Sequence, residues 1–106
     1  MGNLVIAAYR PRPGHEQELL GIVREHVPAL LRQGLVTDRA ALVLQAEDGT
    51  LLELFEWKSE EAVERAHHDP VVREMWGRFE RASEFVRLSD LAEAAERFPH
   101  FTPVSP

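Results

Sequence analysis

Cysteine is absent from the 106 residues, so disulfide bonds and thiol chemistry are excluded, and a reducing compartment, the cytoplasm, is expected. No apolar run reaches the roughly 18 residues that indicate a membrane span. The first ten residues, MGNLVIAAYR, have no basic segment ahead of the apolar one, so we do not expect a signal peptide. The net charge is −6 and the arginines are interspersed with glutamates, which argues against binding to nucleic acid or to an anionic membrane surface.

Several catalytic and cofactor-binding motifs are also missing. The chain has no nucleophile elbow and no phosphate-binding loop, and no His, Asp and Glu set has the spacing of a metal site. We therefore predict no metal and no cofactor. What remains is an ordinary composition, with 44% hydrophobic and 28% charged residues, which is enough for a single domain over residues 1–106.

Residues 40–57, AALVLQAEDGTLLELFEW, are the most informative stretch. Asp48-Gly49 between two apolar runs predicts a β-hairpin with a two-residue type I′ loop, in which Glu47 pairs with Thr50. Both faces of this hairpin are mostly aliphatic, whereas a sheet with one face in water alternates apolar and polar residues. Since the helices of so short a chain can cover one face only, we expect a second copy to cover the other. The sequence therefore predicts a homodimer formed through the sheet face.

The remaining periodicities predict the order β-α-β-β-α-β, followed by a short C-terminal helix. This is an α+β, ferredoxin-like order, with a four-stranded antiparallel sheet and both main helices on one face. The expected segments are a strand at 3–10, a helix at about 15–33, the hairpin, a helix that starts at 60, a strand at 84–88, and a short helix and irregular tail at 89–106, so that the core spans about 3–88.

Capping residues set the expected ends of the helices. Gly34 stands where a left-handed C-cap would end the first helix. Ser59 is a good N-cap for the second helix, which we expect to break near His68, because Asp69-Pro70 has the pattern of a fresh N-terminus.

With this element order, the segment EWKSEEAVERAHHDPVVREMW (residues 56–76) resembles the dimeric α/β-barrel superfamily, and within it the antibiotic-biosynthesis-monooxygenase-like group. Members often have a Trp at the end of the third strand and a Ser- or Asp-capped, acidic start of the second helix, as at Trp57, Ser59, Glu60 and Glu61. The resemblance implies a barrel-shaped dimer. It also implies that some relatives oxidise aromatic or quinol-like substrates with oxygen and no cofactor, that others degrade haem, and that many have no established activity.

The haem-degrading branch is not expected for this chain. That branch has an Asn on the first strand and an axial His on the second helix, and the corresponding positions here hold Tyr9 and Trp76. The monooxygenase branch often has a His about nine residues after the strand-end Trp. That position is Ala66, and His67 and His68 follow it directly.

Two hypotheses of function follow from the resemblance and the aromatic residues. In the first, the protein is an enzyme that oxidises a small aromatic molecule; Tyr9 and His68 orient or deprotonate the substrate, and Trp76 and Phe55 stack on it. In the second, it is a non-catalytic dimer that binds a small hydrophobic ligand or serves as an interaction module. The predicted ligand-binding residues are Glu53, Phe55, Trp57, His67, Trp76 and Phe79.

Each of these residues also has a purely structural interpretation. The aromatic side chains can be core, and His26 is expected to be a packed core histidine. His67 and His68 point about 100° apart on a helix, so at most one of them faces a given ligand. Glu53 and Glu56 lie within an apolar strand, where a carboxylate must find a partner or act as an acid or base. The alternative for both is an ion pair with Arg10, Arg39 or Arg87.

Overall fold

The computed structural model describes residues 2–105 and contains one five-stranded antiparallel sheet. The strand order is β4-β1-β3-β2-β5, and its first four members have the ferredoxin-like arrangement that the sequence predicts. The elements are β1 (Asn3–Pro11), α1 (Glu16–Arg32), β2 (Leu42–Gln45), β3 (Leu51–Trp57), α2 (Glu60–Ala66), α3 (Pro70–Ala82), β4 (Ser83–Val86), two 3-10 turns (Leu88–Asp90 and Ala92–Ala95) and β5 (Thr102–Val104).

The predicted C-cap of α1 is confirmed. Gly34 has φ +72°, and the amide of Gly34 donates to the carbonyl of Leu31 at 3.0 Å. The amide of Leu35 donates to the carbonyl of Leu30, also at 3.0 Å, which completes a Schellman motif. Leu30 and Leu35 are both buried in the same apolar cluster, so the cap also fixes the direction in which the chain leaves the helix.

The predicted break near His68 is confirmed as well, and it separates α2 from α3. The Ser59 hydroxyl accepts a hydrogen bond from the amide of Ala62 at 3.0 Å. The Asp69 carboxylate accepts from the first two free amides of α3, at 2.9 and 3.3 Å, with Pro70 at the first helical position. Each N-terminus therefore has its own cap, and α3 can turn Met75 and Phe79 into the core.

The predicted two-residue hairpin loop is wrong, because the loop has three residues, Glu47 to Gly49. The amide of Ala46 donates to the carbonyl of Thr50 at 2.8 Å, and the amide of Gly49 donates back to the carbonyl of Ala46 at 3.0 Å. Gly49 has φ +93°, and no residue other than glycine has positive φ in the described chain. Asp48 instead accepts the amide of Thr50 at 2.8 Å. This is a type I turn followed by a left-handed glycine.

The extra loop residue moves every side chain of β2 to the opposite face from the one predicted. Val43 lies opposite Glu53, and Leu44 lies opposite Leu52. Val43 therefore points toward the helices, and Leu42 points away from them.

The C-terminal segment also differs from the prediction. The expected helix after residue 88 is two short 3-10 turns, and the tail that was expected to be irregular forms β5, which pairs with β2. The sheet therefore has five strands, not four. Pro103 is tolerated because β5 is an edge strand, on which one side of the backbone has no partner.

The two faces of the sheet are covered unequally. The helices cover most of one face, around Leu19, Phe55 and Phe79, but they leave Phe85 of β4 55% exposed on that side. On the other face, the C-terminal segment covers only Leu52 and its neighbours, through Leu91 and Phe101. No helix within residues 2–105 has the length and apolar content needed to cross a membrane.

Candidate functional site

Three polar side chains meet inside the helix-covered half of the protein. The Tyr9 hydroxyl donates a hydrogen bond to Glu53 Oε1 at 2.8 Å. His26 Nδ1 lies 2.8 Å from the same oxygen. Tyr9, His26 and Glu53 are 5%, 3% and 1% exposed, so one carboxylate oxygen joins two ring side chains away from solvent.

Strand register and helix periodicity bring these residues together. Glu53 of β3 pairs with Ala7 of β1, and Tyr9 is two residues further along β1, on the same face. His26 lies one turn from Ile22 and from Leu30, which are both buried on the sheet-facing side of α1. Glu53, Tyr9 and His26 therefore lie at positions where the strand and helix periodicity would otherwise place apolar side chains.

The environment favours the protonated form of the Tyr9 phenol. Burial raises the pKa of Tyr9 well above its ordinary value, and the charge of Glu53 and its hydrogen bond with the hydroxyl raise it further. The hydroxyl is therefore held as a donor to Glu53. This hydrogen bond holds the Glu53 carboxylate in place.

His26 has one nitrogen engaged and one nitrogen free. Because Glu53 Oε1 is an acceptor, the hydrogen-bond pattern assigns the proton of the neutral ring to Nδ1. Nε2 is buried and has no hydrogen-bond partner among the described residues. In this tautomer Nε2 carries a lone pair, so the ring can accept a proton while Glu53 stabilises the resulting charge.

A cavity of about 350 Å³ lies against this group, between α3, β1 and β4. Because β4 pairs only with residues 8–11 of β1, the first half of β1 borders the cavity without a β4 neighbour. The cavity is lined by His26, Tyr9, Phe55, Trp57, Trp76 and Phe79, together with Val5, Ile6, Ala7, Ala8, Glu80, Phe85 and Val86.

Aromatic contacts fix the ring of His26. Its centroid lies 5.0 Å from that of Phe79 and 5.5 Å from that of Phe55, both edge to face. Phe79 in turn stacks on Tyr9 with a centroid distance of 4.4 Å. Contacts of this geometry are favourable beyond the area that they bury, so they hold the imidazole in one orientation against the cavity.

The structure brings together Tyr9, predicted as catalytic, and most of the ligand-binding residues predicted from the sequence. Tyr9, Phe55, Trp57, Trp76 and Phe79 all line the cavity. Glu53 lies behind Tyr9 and His26 and contacts them through hydrogen bonds.

The adjacent histidines lie elsewhere. His68 is exposed at the end of α2, where Nε2 lies 3.4 Å from Glu64, so the structure does not place it beside Tyr9. His67 is also exposed and does not line the cavity, although its ring packs edge to face with that of Trp76 at a centroid distance of 5.2 Å.

His26 takes the position at the cavity that the sequence hypothesis gave to His68. It is buried in the core, as expected, but its free nitrogen gives it a chemical capacity that a packed core histidine lacks. Two features of the sequence could have indicated this pair. His26 is an ionisable residue on the apolar stripe of α1, and Glu53 is a carboxylate on the apolar face of β3.

The two strand carboxylates have different partners. Glu56 forms the expected ion pair with Arg39, whose Nε lies 3.0 Å from Glu56 Oε1. Hydrogen bonds from Arg39 and Thr37 hold the pKa of Glu56 below its usual range. Glu53 makes no ion pair with an arginine within residues 2–105; the nearest charged partner available to it is His26.

Metal binding receives no support from the part of the chain that the structure describes. No group of three His, Asp or Glu side chains there has the arrangement of a metal site.

The comparison with solved structures finds Rv0793 from Mycobacterium tuberculosis, with a TM-score of 0.63 and 17% sequence identity. The match covers 100% of this chain and 95% of that one. The two proteins share a fold. At this level of identity the similarity extends to the fold alone, which is ferredoxin-like. No family model matches the sequence, and no curated protein matches it either.

Proposed function

We propose that the protein is a cytoplasmic homodimer of the antibiotic-biosynthesis-monooxygenase-like group, and that each subunit oxidises a small phenolic or enolic aromatic molecule with oxygen. The observation that carries this proposal is the free Nε2 of a buried His26 whose other nitrogen is held by Glu53. The element order and the resemblance of residues 56–76 to the group support it.

His26 acts as the general base. A carboxylate that accepts the Nδ1 proton fixes the imidazole tautomer and stabilises the imidazolium that forms when Nε2 takes a proton. The Tyr9 hydroxyl holds Glu53 in place from the other side. The phenolic proton of a substrate in the cavity moves to Nε2 and leaves an electron-rich phenolate.

The aromatic walls of the cavity favour a flat apolar substrate. A volume of about 350 Å³ is near the lower end of the usual range for small-molecule sites, roughly 300–1,000 Å³. Trp76 and Phe55 offer ring faces or edges for stacking, and His26 provides the polar group that sets orientation.

Oxygen is the oxidant in the proposed reaction. The phenolate gives up electrons to molecular oxygen; one oxygen atom enters the ring and the other leaves as water. The phenol loses four electrons and becomes a quinone. One phenol and one oxygen molecule therefore give one quinone and one water. The protein contributes the deprotonation and the exclusion of bulk water from the electron-rich intermediate.

The uncovered sheet face supports the dimer. Leu4, Ile6 and Leu42 are 60%, 47% and 53% exposed, and Ile6 and Leu42 flank Leu54 in neighbouring strands. A contiguous apolar patch of this kind on a soluble protein marks an interaction surface. A second copy of the same face is self-complementary, as a twofold interface requires.

Turnover of 1-naphthol, followed by oxygen uptake and by the absorbance of 1,4-naphthoquinone, tests the enzymatic proposal. We expect His26→Gln to lower the rate at least about 100-fold, the usual contribution of a general base. His68→Gln is the matched control, because it makes the same change on the exposed surface, and it should keep the wild-type rate. Equal rates for wild type and His26→Gln, or a selective loss in His68→Gln, would refute the role of His26.

A binding function without turnover is the second candidate, and the mostly apolar lining of the cavity favours it. Both tryptophans of the chain line the cavity, so intrinsic fluorescence reports its occupancy. Quenching by 1-naphthol with no oxygen uptake would support this second function and reject the enzymatic one.

A further inference from the structure

A second cavity, of about 450 Å³, lies on the other side of Glu53. It is bounded by the later part of α1, by β2 and by residues 37–41. Its walls include Val23, Val27, Leu31, Ala41, Val43 and Glu53. Tyr9 and His26 line the first cavity and not the second, so Glu53 forms part of the wall between them.

The two oxygens of Glu53 are used differently. Oε1 accepts both hydrogen bonds of the first site, from Tyr9 and from His26. Oε2 is buried and has no hydrogen-bond partner among the described residues. A buried carboxylate oxygen without a donor is costly, and a ligand that supplies a donor removes that cost.

The arginines around the second cavity do not pair with the Glu53 carboxylate, and the contact of Glu53 with His26 lies on the side of the first cavity. At its rim, Arg39 is paired with Glu56 at 3.0 Å, and Arg24 Nε donates to the carbonyl of Ser105 at 3.4 Å. Both arginines are exposed and screened by solvent, whereas Glu53 lies at the floor. The wall of this cavity therefore holds the Glu53 carboxylate beside valine and leucine side chains, with Asp38 as a second acidic residue in the lining.

We propose that this second cavity binds a small alkylammonium ion, with its N–H donating to Glu53 Oε2 and its apolar body against Val23, Val27 and Val43. A cation suits this site because charge-assisted hydrogen bonds to carboxylates are stronger than neutral ones. The proposal rests on the missing donor for Oε2 and on the position of Glu53 in the cavity wall, and it does not depend on turnover in the first cavity.

Calorimetric titration with cyclohexylamine and with cyclohexanol tests the proposal. The two probes have the same ring, and only the amine is charged at pH 7. We expect cyclohexanol to bind about tenfold or more weakly, and Glu53→Gln to remove the difference between the two probes. Amide shifts in NMR spectra should concentrate at residues 37–41, while tryptophan fluorescence stays unchanged. Equal affinities in the wild type, or shifts centred on Trp57 and Trp76, would overturn the proposal.

A second variant keeps the test decisive if Glu53→Gln folds poorly. Ala41 lines the second cavity and not the first, so Ala41→Phe should abolish cyclohexylamine binding while 1-naphthol still quenches tryptophan fluorescence. Ala94→Phe, at an exposed position in the second 3-10 turn, is the matched control and should bind like the wild type. Unchanged cyclohexylamine binding in Ala41→Phe would place the amine elsewhere.

Discussion

Raising the pH above 10 should ionise Tyr9 in the unfolded chain but not in the folded protein. Burial and then the charge of Glu53 raise the pKa of Tyr9 in the folded state, and Tyr9 is the only tyrosine in the chain. The tyrosinate absorbance band therefore reports this one residue. In urea the band should grow with an ordinary midpoint near about pH 10, and in the native protein it should remain absent to well above that pH.

The raised pKa of Tyr9 also makes the free energy of unfolding fall with pH by an amount that can be calculated. A raised folded-state pKa contributes stability that is fully present below the unfolded value, and it is lost as pH rises above that value. Between the two pKa values the unfolded chain binds one proton fewer, so the free energy of unfolding drops by about 1.4 kcal/mol per pH unit. From pH 9 to 11 the loss from Tyr9 alone is about 1.4 kcal/mol, since ionisation begins only near pH 10.

Urea denaturation of wild type and Tyr9→Phe at several pH values isolates this effect. Near neutral pH the variant should be less stable by about 1.5–3 kcal/mol, because it loses a hydrogen bond to a charged group and leaves Glu53 with one donor fewer. The deficit should shrink by about 1.4 kcal/mol per pH unit above pH 10. The chain's single lysine, Lys58, is present in both proteins and cancels in the difference.

Coincident tyrosinate titrations in urea and in native buffer would refute this reasoning. A constant stability difference between wild type and Tyr9→Phe from pH 9 to 11 would do the same. Either result would mean that the phenol does not lie buried against an ionised Glu53, and the proposed positioning of His26 would lose its support.

Three further changes test the dimer and the turns. Leu42→Asp should turn the dimer seen in native mass spectrometry into a monomer, whereas Val71→Asp, exposed on α3 away from the patch, should leave it dimeric. Asp69→Ala removes the acceptor for the first free amides of α3 and should lower the urea-unfolding free energy by about 1 kcal/mol. Gly49→Ala strains a residue at φ +93° and should cost about 1 kcal/mol in the same assay, while Gly21→Ala, inside α1 with open space at the new β-carbon, should stabilise or be neutral.

Local signals in the sequence were sufficient where one short segment determines the structure. Gly34, Ser59 and Asp69 each satisfy backbone groups within a few residues of themselves, and all three caps are confirmed. The element order through β4 follows from the same kind of information, because periodicity is also a local property.

The errors arise where two local solutions are nearly equivalent or where distant segments meet. Asp48-Gly49 suits a two-residue loop, but it equally suits a type I turn in which only Gly49 is left-handed, and the difference of one residue reverses the faces of β2. Strand β5 forms because β2 offers an unpaired edge to the tail, a circumstance that the composition of residues 102–104 does not reveal.

The contacts among Tyr9, His26 and Glu53 at the first cavity also join distant segments of the chain, so local patterns do not predict them. Tyr9 lies 44 residues from Glu53 along the chain, and His26 lies 27 residues from it. The sequence shows each of these three as a polar residue within an apolar pattern, but it does not show which polar residues are in contact. The spacing argument pointed to Ala66 and so to the neighbouring His68, because that argument follows the chain, whereas the contact of His26 crosses between elements.

Glu53 itself is the strongest indication that this interior was not built for stability alone. A leucine at this position would continue the apolar face between Leu51 and Phe55 and would leave no orphaned oxygen. Buried ionic groups are frequently replaceable by hydrophobic residues with no loss of stability. Here the charged residue leaves two unsatisfied atoms, its own Oε2 and Nε2 of its partner His26, and those two residues line different cavities. Both unsatisfied atoms belong to residues that line cavities, where a ligand can supply the missing hydrogen-bond partner, so the physical cost of Glu53 and the two proposed binding sites have the same origin.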